Sequence, residues 1–157
     1  MPREASRYSP AMFDIVHELT IAAPPTSVFD AVTTQPGLAA WWTTDCDVRP
    51  EVDTEATFGF DGHAIVFTMR IDLLEEPELV HWECVGGPDE WVGTSVAFRI
   101  ETADGEGSDA EVSRLRFWHG NWEYEDGLLP TCSFQWAMYL DSLRAYLETG
   151  TGRPNTA

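Results

Sequence analysis

Histidine is the first side chain to consider for chemistry in this chain of 157 residues, which has four of them. His119 alternates with Leu115 and Phe117, which predicts a strand whose inward face carries the imidazole. At the mouth of a pocket, such a ring could hydrogen-bond a ligand or transfer a proton. The alternative is a structural histidine that holds the turn from Gly120 to Trp122. In the same way, Trp122 either lines the pocket or simply fills the space there with its side chain.

Metal and nucleophile chemistry have weaker support in the sequence. The histidines show no HxH or HExxH spacing, and His81 and Cys84 would face opposite sides of a predicted strand. The cysteines form no CxxC pair, which predicts buried, reduced thiols, and only Cys132 near a helix start is a candidate nucleophile. GxSxG, GxGxxG and P-loop motifs are absent. We therefore predict no metal and no cofactor, and we favour binding over catalysis.

Aromatic residues are the second group of candidates. Trp41 and Trp42 follow two short predicted helices, and both rings are difficult to bury in a small domain, so one could line a pocket or an exposed patch. Packing of both rings over the sheet edge is the alternative. Inward aromatic residues predict a cavity for an apolar or aromatic ligand, with Gln135 and Tyr139 as polar contacts. The remaining pocket candidates, beside His119 and Trp122, are Phe58, Phe60, Phe67, Met69, Trp82, Phe98, Phe117 and Trp136.

The elements that must position these side chains follow from hydrophobic spacing. Residues 13–21 alternate as a strand, and a short helix follows that Thr26 or Ser27 could cap. Gln35-Pro36-Gly37 is expected to end this helix, and LAAWW to form one further turn. Further strands are predicted over 56–60, 65–73, 80–84, 92–101 and 114–119, with a weaker one at 45–49.

The spacing of apolar residues then changes: they recur at every second residue in the strands, and at every third or fourth residue beyond them. Beyond Pro130, this spacing predicts a long amphipathic helix that ends at Gly150. Its apolar stripe consists of Cys132, Trp136, Leu140, Leu143 and Leu147.

This order of elements predicts an α+β fold. A curved antiparallel sheet of six to seven strands would wrap around the long C-terminal helix, with two short helices after the first strand. Residues 1–157 form a single predicted domain with a core over about 12–150. Flexible tails are expected at 1–10 and 150–157, and the segment 103–111 is expected to connect two strands.

Four segments resemble a known superfamily when taken in order. They are IAAPPTSVFDAVTTQPGLAAWW, LVHWECVGGPDEWVGTSVAFRIE, RFWHGNW and CSFQWAMYLDSLRAYLETGTGRP. Their pattern is similar to the SRPBCC superfamily (START/birch-pollen-allergen-like, helix-grip), and within it to the group homologous to the C-terminal domain of the heat-shock protein 90 ATPase activator. The resemblance covers roughly residues 12–154. It implies a pocket between sheet and helix, but no particular reaction, because the superfamily includes lipid carriers, hormone receptors, polyketide cyclases, oxygenase domains and co-chaperone modules.

Charge narrows the range of partners. The chain has 27 Asp and Glu residues against 9 Arg and no Lys, for a net charge of -18. Such a surface repels phosphate backbones and anionic lipid, so we expect no nucleic acid and no membrane as partners. The composition fits either adaptation to high salt or a genomic bias. The N-terminal residues contain no apolar stretch typical of a signal peptide, so a cytoplasmic location is expected.

Three functional hypotheses follow from the sequence. The first is a helix-grip protein that binds an apolar or aromatic small molecule. The second is a co-chaperone-like or stress-response module that binds a protein partner such as a chaperone, through an exposed patch around Trp41 and Trp42. The third is a cyclase- or hydrolase-like enzyme that uses His119 as acid or base.

Overall fold

A computed structural model describes residues 12–103 and 111–156. The tail expected at 1–10 and most of the connection expected at 103–111 lie outside these described residues. Within them, no helix is both long enough and apolar enough to cross a membrane.

Seven antiparallel strands form one curved sheet in the order β1-β7-β6-β5-β4-β3-β2. Two short helices follow the first strand, and the long helix follows the last. The sheet packs around that long helix, which confirms the predicted α+β helix-grip fold. The bounds are β1 Phe13–Ile21, α1 Pro25–Thr33, α2 Gln35–Trp41, β2 Cys46–Asp47, β3 Glu55–Phe60, β4 Ile65–Glu75, β5 Leu79–Gly86, β6 Ser95–Thr102, β7 Ser113–Trp122 and α3 Leu129–Thr149.

Alternation along the strands determines which side chains enter the core. In β7, Leu115, Phe117 and His119 are fully buried, as their spacing predicts. The strand β4 departs from the prediction, because its pairing with β5 shifts by one residue between Ile71 and Leu73. A bulge of this kind turns the following side chains over, so Leu74 packs on the core where Leu73 was expected.

The short helices begin at residues other than those predicted. Helix α1 begins at Pro25 and its N-cap residue Pro24 makes no side-chain cap, so the expected capping by Thr26 or Ser27 is wrong. Proline suits the first turn of a helix, where its missing N–H has no partner to lose.

The segment from Gln35 to Gly37 begins α2, although it was expected only to end the preceding helix. The Thr34 hydroxyl accepts a hydrogen bond from the Gly37 N–H at 3.1 Å and so caps the new helix. Glycine is required at 37, because a Cβ there would lie 2.7 Å from the Cα of Ala31.

The C-terminal segment is attached to the domain, which corrects the tail expected at 150–157. Gly150 ends α3 in a left-handed conformation, as predicted. Beyond it, the Asn155 N–H donates to the Trp42 carbonyl at 2.8 Å and the Thr44 N–H donates to the Asn155 carbonyl at 2.9 Å. Gly152 permits this approach, because a Cβ there would lie 2.4 Å from the Ala40 carbonyl oxygen.

Candidate functional site

A cleft of about 330 Å³ opens at one end of the long helix. Six aromatic rings contribute to its walls, whereas three other depressions among the described residues have no more than two each. The cleft is therefore the site with the chemistry of an apolar binding pocket. Its lining residues are Trp42, Phe60, Asp61, Ile65, Phe67, Trp91, Cys132, Gln135, Trp136, Tyr139 and Asn155.

Helix α3 supplies one wall through a single face. Cys132, Gln135, Trp136 and Tyr139 are spaced by three and four residues, which brings their side chains to one side of the helix. Cys132 and Trp136 are buried, whereas Tyr139 is half-buried. Burial raises the pKa of the Tyr139 hydroxyl, so this group stays protonated and can donate a hydrogen bond.

The β3–β4 hairpin supplies the opposite wall. Phe60 is the last residue of β3, and its ring centroid lies 5.7 Å from that of Phe67 on β4. Across the cleft, the Phe60 and Tyr139 ring centroids lie 6.1 Å apart. Trp42 connects the two walls, because its ring lies 5.6 Å from Phe60 and 5.0 Å from Trp136. The rings are thus in mutual contact and leave space between them.

Trp91 reaches the cleft from a turn. The strand expected from residue 92 begins only at Ser95, and Val92 is 47% exposed while Trp91 is 4% exposed. The Trp91 ring packs on Phe67 with centroids 3.9 Å apart. Gly93, at a φ of 94°, lets the chain turn here, which folds the indole inward instead of along a strand.

The Trp91 indole N–H has no nitrogen or oxygen acceptor among the described residues, although it is buried. The Cys132 thiol is the polar group beside it: burial raises the pKa of this thiol, and the Trp91 N–H opposes that rise. A thiol is a weak hydrogen-bond acceptor, so the indole keeps most of its capacity to donate.

His119 lies in the core and not at the mouth of this cleft, so the expected position is wrong. Its Nδ1 accepts a hydrogen bond from Trp136 Nε1 at 2.9 Å, and its Nε2 lies 2.8 Å from Thr94 Oγ1. Because Nδ1 accepts, Nε2 carries the proton and donates to Thr94, whose hydroxyl donates onward to the Trp91 carbonyl at 2.6 Å. Burial lowers the pKa of His119 to about 3 and keeps the ring neutral.

The geometry of His119 agrees with the structural alternative. The ring is 0% exposed and ties α3, β7 and the turn before β6 together. Its carbonyl accepts from the Trp122 indole at 3.1 Å, which holds the turn at the end of β7. Trp122 is 1% exposed and packs in the core instead of lining the cleft.

The two adjacent tryptophans are both buried, which overturns the expectation of an exposed patch around them. Trp41 is 0% exposed and Trp42 is 2% exposed. The Trp41 indole is satisfied by the Ala31 carbonyl at 2.8 Å, under α1. Trp42 turns towards the sheet, where it stacks on Trp136 and reaches the cleft.

The fourteen pocket candidates divide into two groups. Six of them line the cleft, and their role as ligand contacts stays a prediction: Trp42, Phe60, Phe67, Gln135, Trp136 and Tyr139. Eight lie in the buried core away from it, because the curved sheet and α3 close together there: Trp41, Phe58, Met69, Trp82, Phe98, Phe117, His119 and Trp122.

Five lining residues were not predicted, namely Asp61, Ile65, Trp91, Cys132 and Asn155. The sequence held a signal for some of them. Cys132 lies one helical turn before Trp136 on the predicted stripe, and the glycines around Trp91 mark a turn that could direct its ring. Asn155 carried no signal, because its place depends on the attachment of the C-terminal segment to Thr43 and Trp42.

Metal ligands do not come together in the described residues, where no group of three or more His, Cys, Asp or Glu side chains has suitable geometry.

The fold and the cleft together define a class of protein: a helix-grip domain of the SRPBCC superfamily with an aromatic cleft beside its long helix. The family described as Activator of Hsp90 ATPase homolog 1-like protein matches residues 22–148. The chain belongs to this family.

Solved structures agree with this membership. The chain is 31% identical to the Aha1 dimer from Colwellia psychrerythraea, known from a solution structure, with a TM-score of 0.77 over 89% of this chain and 99% of that one. A protein from Staphylococcus saprophyticus is 17% identical, with a TM-score of 0.72 over 92% and 98% of the two chains. DynU16, from the dynemicin biosynthetic locus, is 19% identical, with a TM-score of 0.70 over 92% and 51%. The last two show the fold alone. No curated protein matches the chain.

Proposed function

We propose that this protein binds an apolar or aromatic small molecule in the cleft between the β3–β4 hairpin and α3. The observation that carries the proposal is a space of about 330 Å³ whose walls are six aromatic rings in mutual contact. Three of these rings, Phe60, Phe67 and Tyr139, are partly exposed, and covering their apolar surface with a ligand is favourable because it removes that surface from water. Clefts that hold drug-sized ligands start at about this volume.

The lining residues suggest distinct roles in binding. The partly exposed Phe60 and Phe67 rings would contact a flat ligand, while the buried Trp42 and Trp136 rings support the cleft from the core side. Tyr139 would donate a hydrogen bond from its hydroxyl, which is protonated near neutral pH.

Freshly purified protein should first be examined by native mass spectrometry for a bound small molecule. Binding should then be measured by calorimetry with aromatic compounds, and the site tested with Ile65→Trp. Ile65 lines the cleft and is 40% exposed, so the larger indole side chain should fill the space and abolish binding. Val16→Trp is the matched control, since Val16 is also 40% exposed but lies on β1 outside the cleft. Equal binding by both variants would refute the site.

A second candidate function is protein recognition through the outer face of α3. Phe134 is 68% exposed and Met138 is 55% exposed, and their spacing of four residues makes them neighbours on the helix. Two large apolar side chains side by side on a helix are a typical contact for a partner. Membership of the Hsp90 ATPase activator family and the dimeric state of the Colwellia psychrerythraea relative support a protein partner in general, and the exposed pair makes this face the candidate surface.

This second candidate is tested by replacing both side chains with Ser. The double variant should lose binding to a purified chaperone ATPase of the heat-shock protein 90 class. Light scattering of both proteins would show whether the unchanged chain dimerises and whether the double variant does. Val16→Ser, an exposed apolar residue on another surface, is the control. If the double variant still binds, the outer face of α3 is not the surface that binds the partner.

The enzyme hypothesis finds no support in the position of His119, whose two ring nitrogens are already bonded to Trp136 and Thr94 inside the core. A cytoplasmic location remains part of the proposal. The three free cysteines, Cys46, Cys84 and Cys132, fit a reducing compartment.

A further inference from the structure

The cleft combines aromatic walls with negative charge at its mouth. Asp61 lies in the β3–β4 turn, is exposed, and is the only charged side chain among the described residues that line the cleft. None of the arginines in the described ranges lines it. An anionic ligand would therefore meet a carboxylate and no compensating cation.

We propose that the cleft selects aromatic or apolar ligands that carry a positive charge, such as a quaternary or protonated amine. This inference rests on the proposed small-molecule function and specifies its ligand class. The partly exposed Phe60, Phe67 and Tyr139 rings attract an ammonium group by cation–π interaction, and the Asp61 carboxylate adds a direct charge contact.

The rest of the molecule acts in the same direction. A net charge of -18 concentrates cations and depletes anions around the whole chain. The neighbouring His63 does not reverse this near Asp61, because its Nδ1 lies 2.6 Å from the Asp45 carboxylate. A cation that enters the cleft thus moves from a favourable field to a favourable contact.

Three probes of one shape test the proposal: benzyltrimethylammonium, its uncharged carbon analogue neopentylbenzene, and benzylsulfonate. Calorimetry gives their affinities, and the indole N–H signals of Trp42, Trp91 and Trp136 report occupancy of the cleft. We expect the cation to bind roughly three- to thirtyfold more tightly than the uncharged probe. The anion should bind more weakly than both.

Asp61→Asn separates the local carboxylate from the field of the whole chain. We expect it to weaken the cation roughly two- to fivefold and to leave the uncharged probe unchanged. Glu75→Gln removes one charge at the other end of β4, about 33 Å from Ile65 at ~3.3 Å per residue, and should change neither affinity. At about 0.5 M salt the preference for the cation should shrink but persist, because the aromatic contacts are screened less than distant charges.

The outcomes separate the two proposals. If the uncharged probe shifts the cleft signals and binds as tightly as the cation, the charge preference is overturned and the binding function stands. An equal loss of both probes in Asp61→Asn would likewise refute the role of the carboxylate. If no probe shifts the cleft signals and Ile65→Trp has no effect, the binding function fails as well.

Discussion

At the scale of single residues, the organising feature is the chain of hydrogen bonds through His119. It runs from the Trp136 indole through the imidazole to the Thr94 hydroxyl and on to the Trp91 carbonyl. Each group donates to the next, so all of these buried polar atoms are satisfied. Since Trp91 and Trp136 also line the cleft, these hydrogen bonds hold the Trp136 ring and the backbone of Trp91 in place behind it.

Replacement of Thr94 by Val should destabilise the protein. The change leaves the buried Nε2–H of His119 without an acceptor, which we expect to lower the free energy of unfolding by about 1–3 kcal/mol in urea titrations. Thr54→Val is the matched control, because its hydroxyl makes the same bond to the carbonyl three residues earlier, to Glu51 at 2.7 Å, but in an exposed turn. Similar effects of the two variants would contradict the buried chain.

The same histidine should make stability depend on pH. Its pKa is lowered to about 3 in the folded protein, whereas an unfolded histidine titrates near ~6.5. Protons therefore bind the unfolded chain more tightly than the folded protein. The stabilisation that the neutral His119 ring contributes is fully present above about pH 6.5 and is lost progressively as the pH falls towards ~3. Between pH 7 and pH 5 we expect it to lower the free energy of unfolding by about 2 kcal/mol.

His119→Gln isolates this contribution, because other titrating groups affect both proteins alike. The loss of stability between pH 7 and pH 5 should be smaller in the variant by the stated amount. The ¹³C NMR chemical shifts of the His119 ring provide a second measurement. At pH 5 in the unchanged protein they should keep the values typical of a neutral imidazole. A ring that becomes protonated at pH 5 while the protein stays folded would contradict the assignment.

Sequence alternation predicted which way His119 points, but not how deep it lies. Period-two spacing assigns a face of the sheet, and β7 has the predicted face. Depth depends on what covers that face, and here the cover includes Trp91, whose turn is marked by neighbouring glycines although they do not determine how far the ring reaches over His119. For the same reason, eight of the fourteen pocket candidates lie in the core, since an inward residue lines a cleft only where the covering elements separate.

At the scale of elements, helix α3 serves three surfaces at once. Its buried stripe holds the core, Gln135 and Tyr139 line the cleft together with Cys132 and Trp136 of that stripe, and the outer face exposes Phe134 and Met138. The stripe and the helix ends were predictable, because spacing and the Pro130 and Gly150 signals are local. The separation of the cleft face from the outer face was not, because it depends on where the β3–β4 hairpin lies.

The C-terminal segment is an element that the sequence presented only as a tail. Glycine and proline suggested irregular backbone, but Ser142 holds it in place: its hydroxyl accepts from the Arg153 N–H at 2.6 Å and donates to the Trp41 carbonyl at 3.0 Å. Asn155 thereby reaches the cleft. Contacts of this range, between residues more than a hundred positions apart, leave no periodic trace in the sequence.

Gly152→Ala should loosen this segment. A Cβ at 152 would lie 2.4 Å from the Ala40 carbonyl oxygen, so the segment or α2 must move, at a cost of about 1–3 kcal/mol in the free energy of unfolding. Hydrogen exchange of the Thr44 and Asn155 amides should become faster. Thr151→Ala, at the exposed neighbouring residue, is the control and should leave both amides protected; unchanged exchange in Gly152→Ala would show that the close approach is not required.

At the scale of the whole molecule, the acidity and the aromatic content serve different purposes. Three strand arginines, Arg70, Arg114 and Arg116, lie beside carboxylates on the outer face of the sheet; Arg116 donates to Glu18 at 2.9 Å and Arg70 to Glu83 at 2.7 Å. Such exposed pairs contribute little each, and with 27 Asp and Glu residues against 9 Arg, repulsion among carboxylates outweighs attraction in the chain as a whole.

The protein should therefore become more stable as salt increases. Repulsion among carboxylates disfavours the compact state, and raising the ionic strength from about 0.05 M to 1 M shortens the screening length from roughly 14 Å to 3 Å. We expect a gain of about 1 kcal/mol, which for a domain of this size raises the melting temperature by roughly 2–4 °C. A variant with four exposed acids neutralised should be more stable at low salt and gain less from added salt: Glu76→Gln, Glu123→Gln, Glu125→Gln and Asp126→Asn. Equal salt gains in both proteins would mean that salt acts on apolar burial and not on the charge, and the acidic composition would then say nothing about the stability of the fold.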